Sequence, residues 1–324
     1  MTARRVSSVL ESLGAPHRSI PTQSARELLA VRLFDRLWTE YRRRVPYVQA
    51  YERVVARAGA TFVNDHIAFR TLAVQSPATG IATIARIFEA LGYQAAGCYA
   101  FPEKRLSAVH YQHANPQFPK LFVSELRTWE LSEAARKAVL RTTSTHRRVA
   151  TDALLAGIAR LERRGEVDSH LRKLAPIFLR LPWEPPEKRD VLRVHAESQF
   201  GAWVMLHGYA VNHFTALINS HGADALSDVE KTAAALRAEG APMKTEIEGA
   251  PGSKLRQTAT EAAVAAVRVR DGGRIVKIPW TYAYFELAER GVVEDPETGR
   301  PQRFEGFLGP QATQLFEMTQ VRAR

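Results

Sequence analysis

From Ser24 onward apolar residues return at helical spacing. Leu29, Leu33, Leu37 and Tyr41 step four positions at a time, and Ala30, Phe34 and Trp38 widen the same stripe. Such a stripe is one face of an α-helix. Pro46 cannot continue it, so the pattern predicts two helices between Ser24 and Gly59. The rhythm then changes. HIAFRTLA (His66 to Ala73) reads as a strand, and Ile81 to Leu91, closed by Gly92, as a helix. Tyr93 to Tyr99, Leu106 to Gln112 and Lys120 to Leu126 read as three more strands. The order over about residues 61–126 is β-α-β-β-β.

Residues 131–200 are helical in pattern and densely charged, with a break at LPWEPP (Leu181 to Pro186). The first arrangement then recurs over about residues 207–290. HGYAVNHFTALI (His207 to Ile218) reads as a strand. Ser227 to Gly240 reads as a helix, opened by a capping box of Ser227 and Glu230 and closed by its glycine. Strands are expected around Met243 to Ile247, within Leu255 to Arg270, and from Thr281 to Ala288, with a turn at Asp271 to Gly273. The two copies share almost no sequence, so the repeat rests on element order alone. Paired modules of this kind curl into an open, cup-shaped mixed sheet around a central site, an α+β fold. Residues 1–25 are expected as a flexible lead and 26–324 as one catalytic domain, with a last helix at about 311–321.

Composition narrows the class. Apolar residues make up 45% of the 324 and charged residues 24%, the balance of an ordinary globular protein. No run of about 18 apolar residues is uninterrupted; the most apolar stretch, Gly201 to Asn219, carries two His and two Asn. No membrane partner is therefore expected. The N-terminus lacks the apolar core of a secretory signal. Cys98 is alone, which excludes an intrachain disulfide and suits a reducing compartment, so a cytoplasmic location is expected. Against 34 Asp and Glu stand 45 Lys and Arg, a net charge of +11 that attracts anions in general. The basic residues are scattered through predicted helices without interleaved aromatics, and no zinc-finger or ribonucleoprotein pattern occurs. Nucleic acid is not an expected partner. The oligomeric state stays open, a homo-oligomer included.

Two imidazoles and one carboxylate on one side of a metal leave positions free for substrate and O2, the non-haem Fe(II) arrangement. Three strand positions could supply them. His66 (NDHIAFR) lies in the first strand of module one, His213 (VNHFT) in the first strand of module two, and Glu286 (YAYFELAERG) in the last strand of module two. The matched placement of the histidines argues for convergence. A lone strand histidine is ordinarily a hydrogen-bonded core residue, and a Glu between Phe285 and Leu287 is ordinarily the exposed member of an alternation, so spacing alone leaves the matter open. Arg70 shares a strand face with His66, with only Ala68 between, at roughly 13 Å between outer Cα atoms. A metal and a guanidinium at that separation could grip opposite ends of a short dicarboxylate; a surface ion pair is the plain alternative. His110 and His113 (HYQH) are three apart and in a strand face opposite ways. No P-loop, dinucleotide fingerprint or serine-hydrolase elbow is present.

NDHIAFRTL, PWEPP with ESQFGAWVMLHGYAVNHFT, GSKLRQTAT and YAYFELAERG, four separated motifs in order, together resemble the 2-oxoadipate dioxygenase/decarboxylase family. The resemblance runs from about residue 28 to near the C-terminus. It implies a glyoxalase-like, vicinal-oxygen-chelate type fold and an Fe(II) site. It also implies O2-dependent conversion of 2-oxoadipate to 2-hydroxyglutarate and CO2 in lysine breakdown. Carried over by motif, it implies His66, His213 and Glu286 as metal ligands. Arg70 would hold the substrate carboxylate, with His66 and His213 also facing the substrate. The chain is shorter than the longest bacterial members, whose C-terminal region contributes to the pocket, so the resemblance implies the metal site more firmly than the substrate. Gln257 and Thr258 are candidate hydrogen-bond donors behind the site. Tyr284 and Tyr282 share Glu286's face by alternation and are candidate walls.

Two other readings compete. Glu125 (FVSEL) ends the last strand of module one, a position taken as equivalent to Glu286. A fourth ligand there would suit a glyoxalase-type isomerase or lyase with a redox-inert metal. A non-catalytic binding protein using the cup as a receptor is the other.

Overall fold

The computed structural model describes residues 10–147 and 150–309; the helix predicted at 311–321 lies outside the described residues. Helices α1 (Ala25–Arg44) and α2 (Tyr47–Ala58) meet at Pro46, as the periodicity requires. The apolar stripe of α1 is buried along its whole length. Module one follows in the predicted order: β1 (Asn64–Leu72), α3 (Ile81–Ala90), β2 (Tyr93–Phe101), β3 (Leu106–His113) and β4 (Lys120–Leu126). Five helices fill the charged middle: α4 (Glu133–Thr143), α5 (Asp152–Ala159), α6 (Val167–Leu179), α7 (Lys188–Glu197) and α8 (Gln199–His207). Module two holds β5 (Val211–Leu217), α9 (Val229–Ala238), β6 (Leu255–Ala259) and β9 (Glu286–Arg290). A hairpin of β7 (Val264–Asp271) and β8 (Arg274–Thr281) is inserted between the last two.

Seven strands form one curled mixed sheet in the order β2-β3-β4-β1-β5-β9-β6. Its centre is an antiparallel seam between β1 and β5. Outward from the seam the two halves match. β1 pairs β4 and β5 pairs β9 in parallel, then β4 pairs β3 and β9 pairs β6 antiparallel. The match fades at the edge. The strand expected at Met243 to Ile247 is reduced to two isolated bridges, Met243 with Thr260 and Glu248 with Gln257. The hairpin makes its own two-stranded sheet, turning at Gly272 and Gly273, whose φ of 57° and 79° are those of a two-residue hairpin turn. The stretch read as a strand from Thr281 to Ala288 is therefore split, with residues 282–285 outside any ladder.

Aromatic packing decides which sheet face is core. Trp38 and Tyr41 of α1 lie edge-on to Phe214, with centroids 5.0 and 4.9 Å away, and Tyr51 of α2 packs on Phe285 at 4.8 Å. Strand side chains alternate, so turning Phe214 and Phe285 toward these helices turns His213, Thr215 and Glu286 the other way. The Tyr41 hydroxyl also donates to the Tyr284 carbonyl, tying the irregular segment before β9 to α1.

Three expectations need correction. The strand read from His207 begins at Val211, because residues 199–207 are helix α8, buried on every side and therefore without a visible helical stripe. The cap of α9 is Asp228, whose Oδ1 accepts from the Lys231 amide at 2.8 Å, while Ser227 lies one residue too early. Residues 10–24 do not form a loose lead. Leu13 and His17 are buried, Trp38 Nε1 donates to the Leu13 carbonyl at 2.8 Å, and His17 Nδ1 meets Asp35 at 2.9 Å. Asp228→Ala should lower stability by about 1 kcal/mol, the usual value of an N-cap, and Ser227→Ala should leave it nearly unchanged; urea unfolding midpoints would check both.

Candidate metal centre

The seam brings three distant side chains to one level. Ala68 lies opposite His213, His66 opposite Thr215, and Thr215 opposite Glu286, so β1, β5 and β9 each aim one polar group at the same point. The Nε2 atoms of His66 and His213 are 3.3 Å apart. Glu286 Oε1 is 3.3 Å from His66 Nε2, and Oε2 is 3.5 Å from His213 Nε2. One ligand atom from each residue lies within 4.8 Å of the others, and all three residues are buried. Among the described residues, none donates a hydrogen bond to Glu286 Oε2. A buried, unpaired carboxylate oxygen is costly, and a divalent cation between the three groups would remove that cost. The donor set fits the metal that the sequence implies.

Behind each imidazole stands the residue that precedes it. His66 Nδ1 meets Asp65 Oδ2 at 2.7 Å, and His213 Nδ1 meets Asn212 Oδ1 at 3.1 Å. Neighbours in a regular strand point to opposite faces. Here the β1–β5 ladder skips Asp65 and then Asn212, and these two irregularities let both side chains turn back onto their histidines. With Nδ1 donating, each Nε2 lone pair faces the cluster, the tautomer that a metal requires. Burial favours a neutral ring in both, but in His66 the carboxylates of Asp65 and Glu286 outweigh it and raise the pKa. His213 lacks such help. Burial, then His66 and Arg70, push its pKa well below the usual value. Burial alone would raise the Asp65 pKa, yet the Arg290 guanidinium holds it well below the ordinary carboxylate range.

The cluster opens on a cavity with apolar walls that include Phe101, Phe122 and Phe307. Arg70 lies on its wall, its guanidinium 5.0 Å from the Phe200 ring centre and 5.4 Å from that of Trp203. It hydrogen-bonds Tyr284, and burial lowers its pKa to about 10, which leaves it a cation at neutral pH. Gln257 and Tyr284 also line the cavity, Gln257 with its amide donated to Glu248 Oε2 at 2.9 Å. Thr258 does not: it alternates away and donates to the Glu246 carbonyl at 2.8 Å. Tyr282 is also elsewhere, between Trp203 and the guanidinium of Arg44.

Glu125 is not placed as expected. Glu286 pairs with the residue two after His213, and the residue two after His66, Ala68, pairs with Phe122. Phe122 is thus the counterpart of Glu286. Glu125 sits three residues farther on and accepts from the Ile81 amide at 2.9 Å, at the start of α3. His110 and His113 part as expected, the first against Tyr99 and the second stacked on Phe118. Sequence reasoning missed Asp65, Asn212, Thr215, Arg290 and Phe307. An Asp or Asn directly before each histidine was the available signal for the first two.

The model of the 2-oxoadipate dioxygenase/decarboxylase family matches residues 33–314. The chain belongs to this family. It is accordingly an enzyme of the dioxygenase/decarboxylase class. The rice protein "2-oxoadipate dioxygenase/decarboxylase, chloroplastic/amyloplastic" is 29% identical over 294 residues, 83% of this chain and 72% of the relative. The Arabidopsis thaliana chloroplastic enzyme of the same name is 27% identical over 282 residues, 79% and 67% of the two chains. Among solved structures, a protein from Ralstonia eutropha JMP134 assigned to the glyoxalase superfamily aligns with a TM-score of 0.78 at 24% identity, covering 95% of this chain and all of that one. The rice hydroxyglutarate synthase in complex with 2-oxoadipate aligns with a TM-score of 0.72 at 24% identity, covering 92% and 96%. At these identities the structural likenesses speak for the fold, which is α+β and glyoxalase-like as the sequence implied. Among the described residues no helix is long and apolar enough to cross a membrane.

Proposed function

We propose that His66, His213 and Glu286 bind Fe(II), and that the chain converts 2-oxoadipate, or a 2-oxo dicarboxylate close to it, with O2 to 2-hydroxyglutarate and CO2. The observation that carries this reading is a buried two-histidine, one-carboxylate cluster with an unpaired oxygen, sharing its cavity with a buried arginine. Fe(II), when bound, supplies the electrons for O2 chemistry that no side chain can supply. The protein's own residues do the rest. Asp65 and Asn212 hold the imidazoles in one orientation. Arg70, fixed by Tyr284 and two aromatic faces, offers a planar fork to the far carboxylate of the substrate. The phenylalanine walls keep water out, which strengthens that ion pair and protects reactive species. A role in lysine breakdown in the cytoplasm follows from the family resemblance and from the exposed lone thiol of Cys98, which suits a reducing compartment.

The isomerase reading needed a fourth carboxylate ligand, and Glu125 is occupied at the start of α3. With only these three protein ligands, a bound metal would keep positions free for substrate and O2.

Anaerobic protein loaded with Fe(II) should consume O2 and release CO2 in equal amounts, fastest with a five- or six-carbon 2-oxo dicarboxylate. O2 uptake with none of a panel of 2-oxo acids would sink the reading. Arg70→Ala should raise KM about 10- to 100-fold, the value of a charge-assisted hydrogen bond, while His213→Ala should abolish both turnover and metal binding. Metal must compete with a proton for His66 Nε2, and the carboxylates of Asp65 and Glu286 favour the proton. Because that pKa is raised, affinity should begin to fall, as pH is lowered, at a higher pH than for an ordinary imidazole. Asp65→Asn removes one cause of the raised pKa and should shift this fall to lower pH, read by titrating Mn(II) across a pH series.

A further inference from the structure

Glu286 opens β9 and Arg290 closes it, on the same strand face with Ala288 between. β1 carries the same pattern in His66, Ala68 and Arg70. β1 is antiparallel to β5 and β5 parallel to β9, so the two arginines lie toward opposite ends of the metal cluster. They are engaged differently. Arg70 lines the cavity, whereas Arg290 gives Nε and Nη2 to the two oxygens of Asp65, at 2.6 and 2.7 Å. Its Nη1 donates to the carbonyls of Phe304 at 3.0 Å and Gly306 at 2.8 Å.

Those carbonyls belong to a segment that lies against the cluster. The Phe307 ring is 4.9 Å from His66 and 4.9 Å from Phe122, and its amide donates to Tyr99 Oη at 3.1 Å. Glu305 pairs with Lys120 on β4, and Phe307 and Leu308 complete the cavity wall. We propose that residues 304–308 form a strap over the metal centre, and that Arg290 is a positioning residue coupling the strap to His66 through Asp65. The proposal rests on the metal site proposed above.

The coupling follows from donor geometry. One rigid guanidinium serves a carboxylate with two parallel bonds and two strap carbonyls with its third nitrogen. A lysine ammonium, with three donors at one point, cannot span these partners. When the strap lifts, Arg290 loses two acceptors and the restraint they impose, and the Asp65 carboxylate that orients His66 loses its fixed partner. A ligand that needs His66 in one orientation therefore favours the closed strap, and by linkage the closed strap favours that ligand. Closing the cavity and setting the imidazole become one event.

Hydrogen exchange with Mn(II) as the probe tests this in the full chain. In the wild type, saturating Mn(II) should slow exchange of a peptide containing Phe307 at least several-fold, with no such change in the β7–β8 hairpin. Arg290→Lys should abolish that response and weaken Mn(II) binding about 10- to 100-fold, the range for residues that orient metal ligands. Tyr99→Phe with Lys120→Met loosens the strap without touching Asp65, and should weaken Mn(II) binding several-fold through the coupling alone. Unchanged Mn(II) affinity in that double variant with a freely exchanging strap would overturn the proposal. So would a wild-type strap indifferent to bound Mn(II), a result that requires no variant to fold. Failure of the wild type to bind Mn(II) at all would instead remove the metal site, and this proposal with it.

Discussion

The antiparallel seam between β1 and β5, with Asp65 and Asn212 each skipped by its ladder, is the constraint on which the centre depends. A regular ladder would point the residue before each histidine to the far face. The irregularities turn Asp65 and Asn212 onto the imidazoles, fixing each tautomer, and set β9 so that Glu286 stands level with both rings. The cost is a carboxylate oxygen and two imidazole nitrogens facing one another where all three residues are buried. Aromatic packing of Trp38, Tyr41 and Tyr51 against the opposite face holds the arrangement. Helices α1 and α2, absent from the cavity's described lining, therefore help determine where its polar side chains stand.

Charge bookkeeping in the cavity sharpens the substrate reading. Asp65 and Arg290 cancel as a bidentate pair, which leaves the Glu286 carboxylate and the Arg70 cation in balance. A divalent ion then leaves two positive charges in an enclosure where charge is poorly screened. A dicarboxylate neutralises them, whereas a monocarboxylate leaves one uncompensated, which is expensive in a low-dielectric site. Of the two arginines only Arg70 is among the cavity's described lining; Arg290 is committed to Asp65 and to two carbonyls.

Much of this was legible in the chain because periodic patterns record burial. The stripe from Leu29 to Tyr41 specified α1, and the order of elements exposed the repeat although its two copies share almost no residues. Helix α8 escaped for the same reason in reverse, since residues buried on every side leave no stripe. His66, His213, Glu286 and Arg70 could be named because four separated motifs resemble one family and the two histidines hold matched places in the repeat; spacing alone left them open. The placement of Glu125 failed because equivalence between strands is set by register, and a sequence does not display register across a sheet. Arg290 and Phe307 were missed for a related reason: their partners lie 225 residues upstream in Asp65 and 208 residues upstream in Tyr99, with no local periodicity to mark either contact.

The two halves also show how a near-symmetric scaffold yields an asymmetric centre. Each contributes a histidine from its first strand, with an oriented Nδ1 and a small or short residue two positions on, Ala68 in one and Thr215 in the other. They diverge at the next strand out, where module two supplies Glu286 and module one supplies Phe122. A carboxylate in both places would surround the metal with four protein ligands and suit Lewis-acid chemistry on a bound substrate. With a phenylalanine there, that side of the centre is apolar and open to the cavity. The carboxylate that is missing there, as much as the three polar groups that are present, leaves the cluster open toward the cavity.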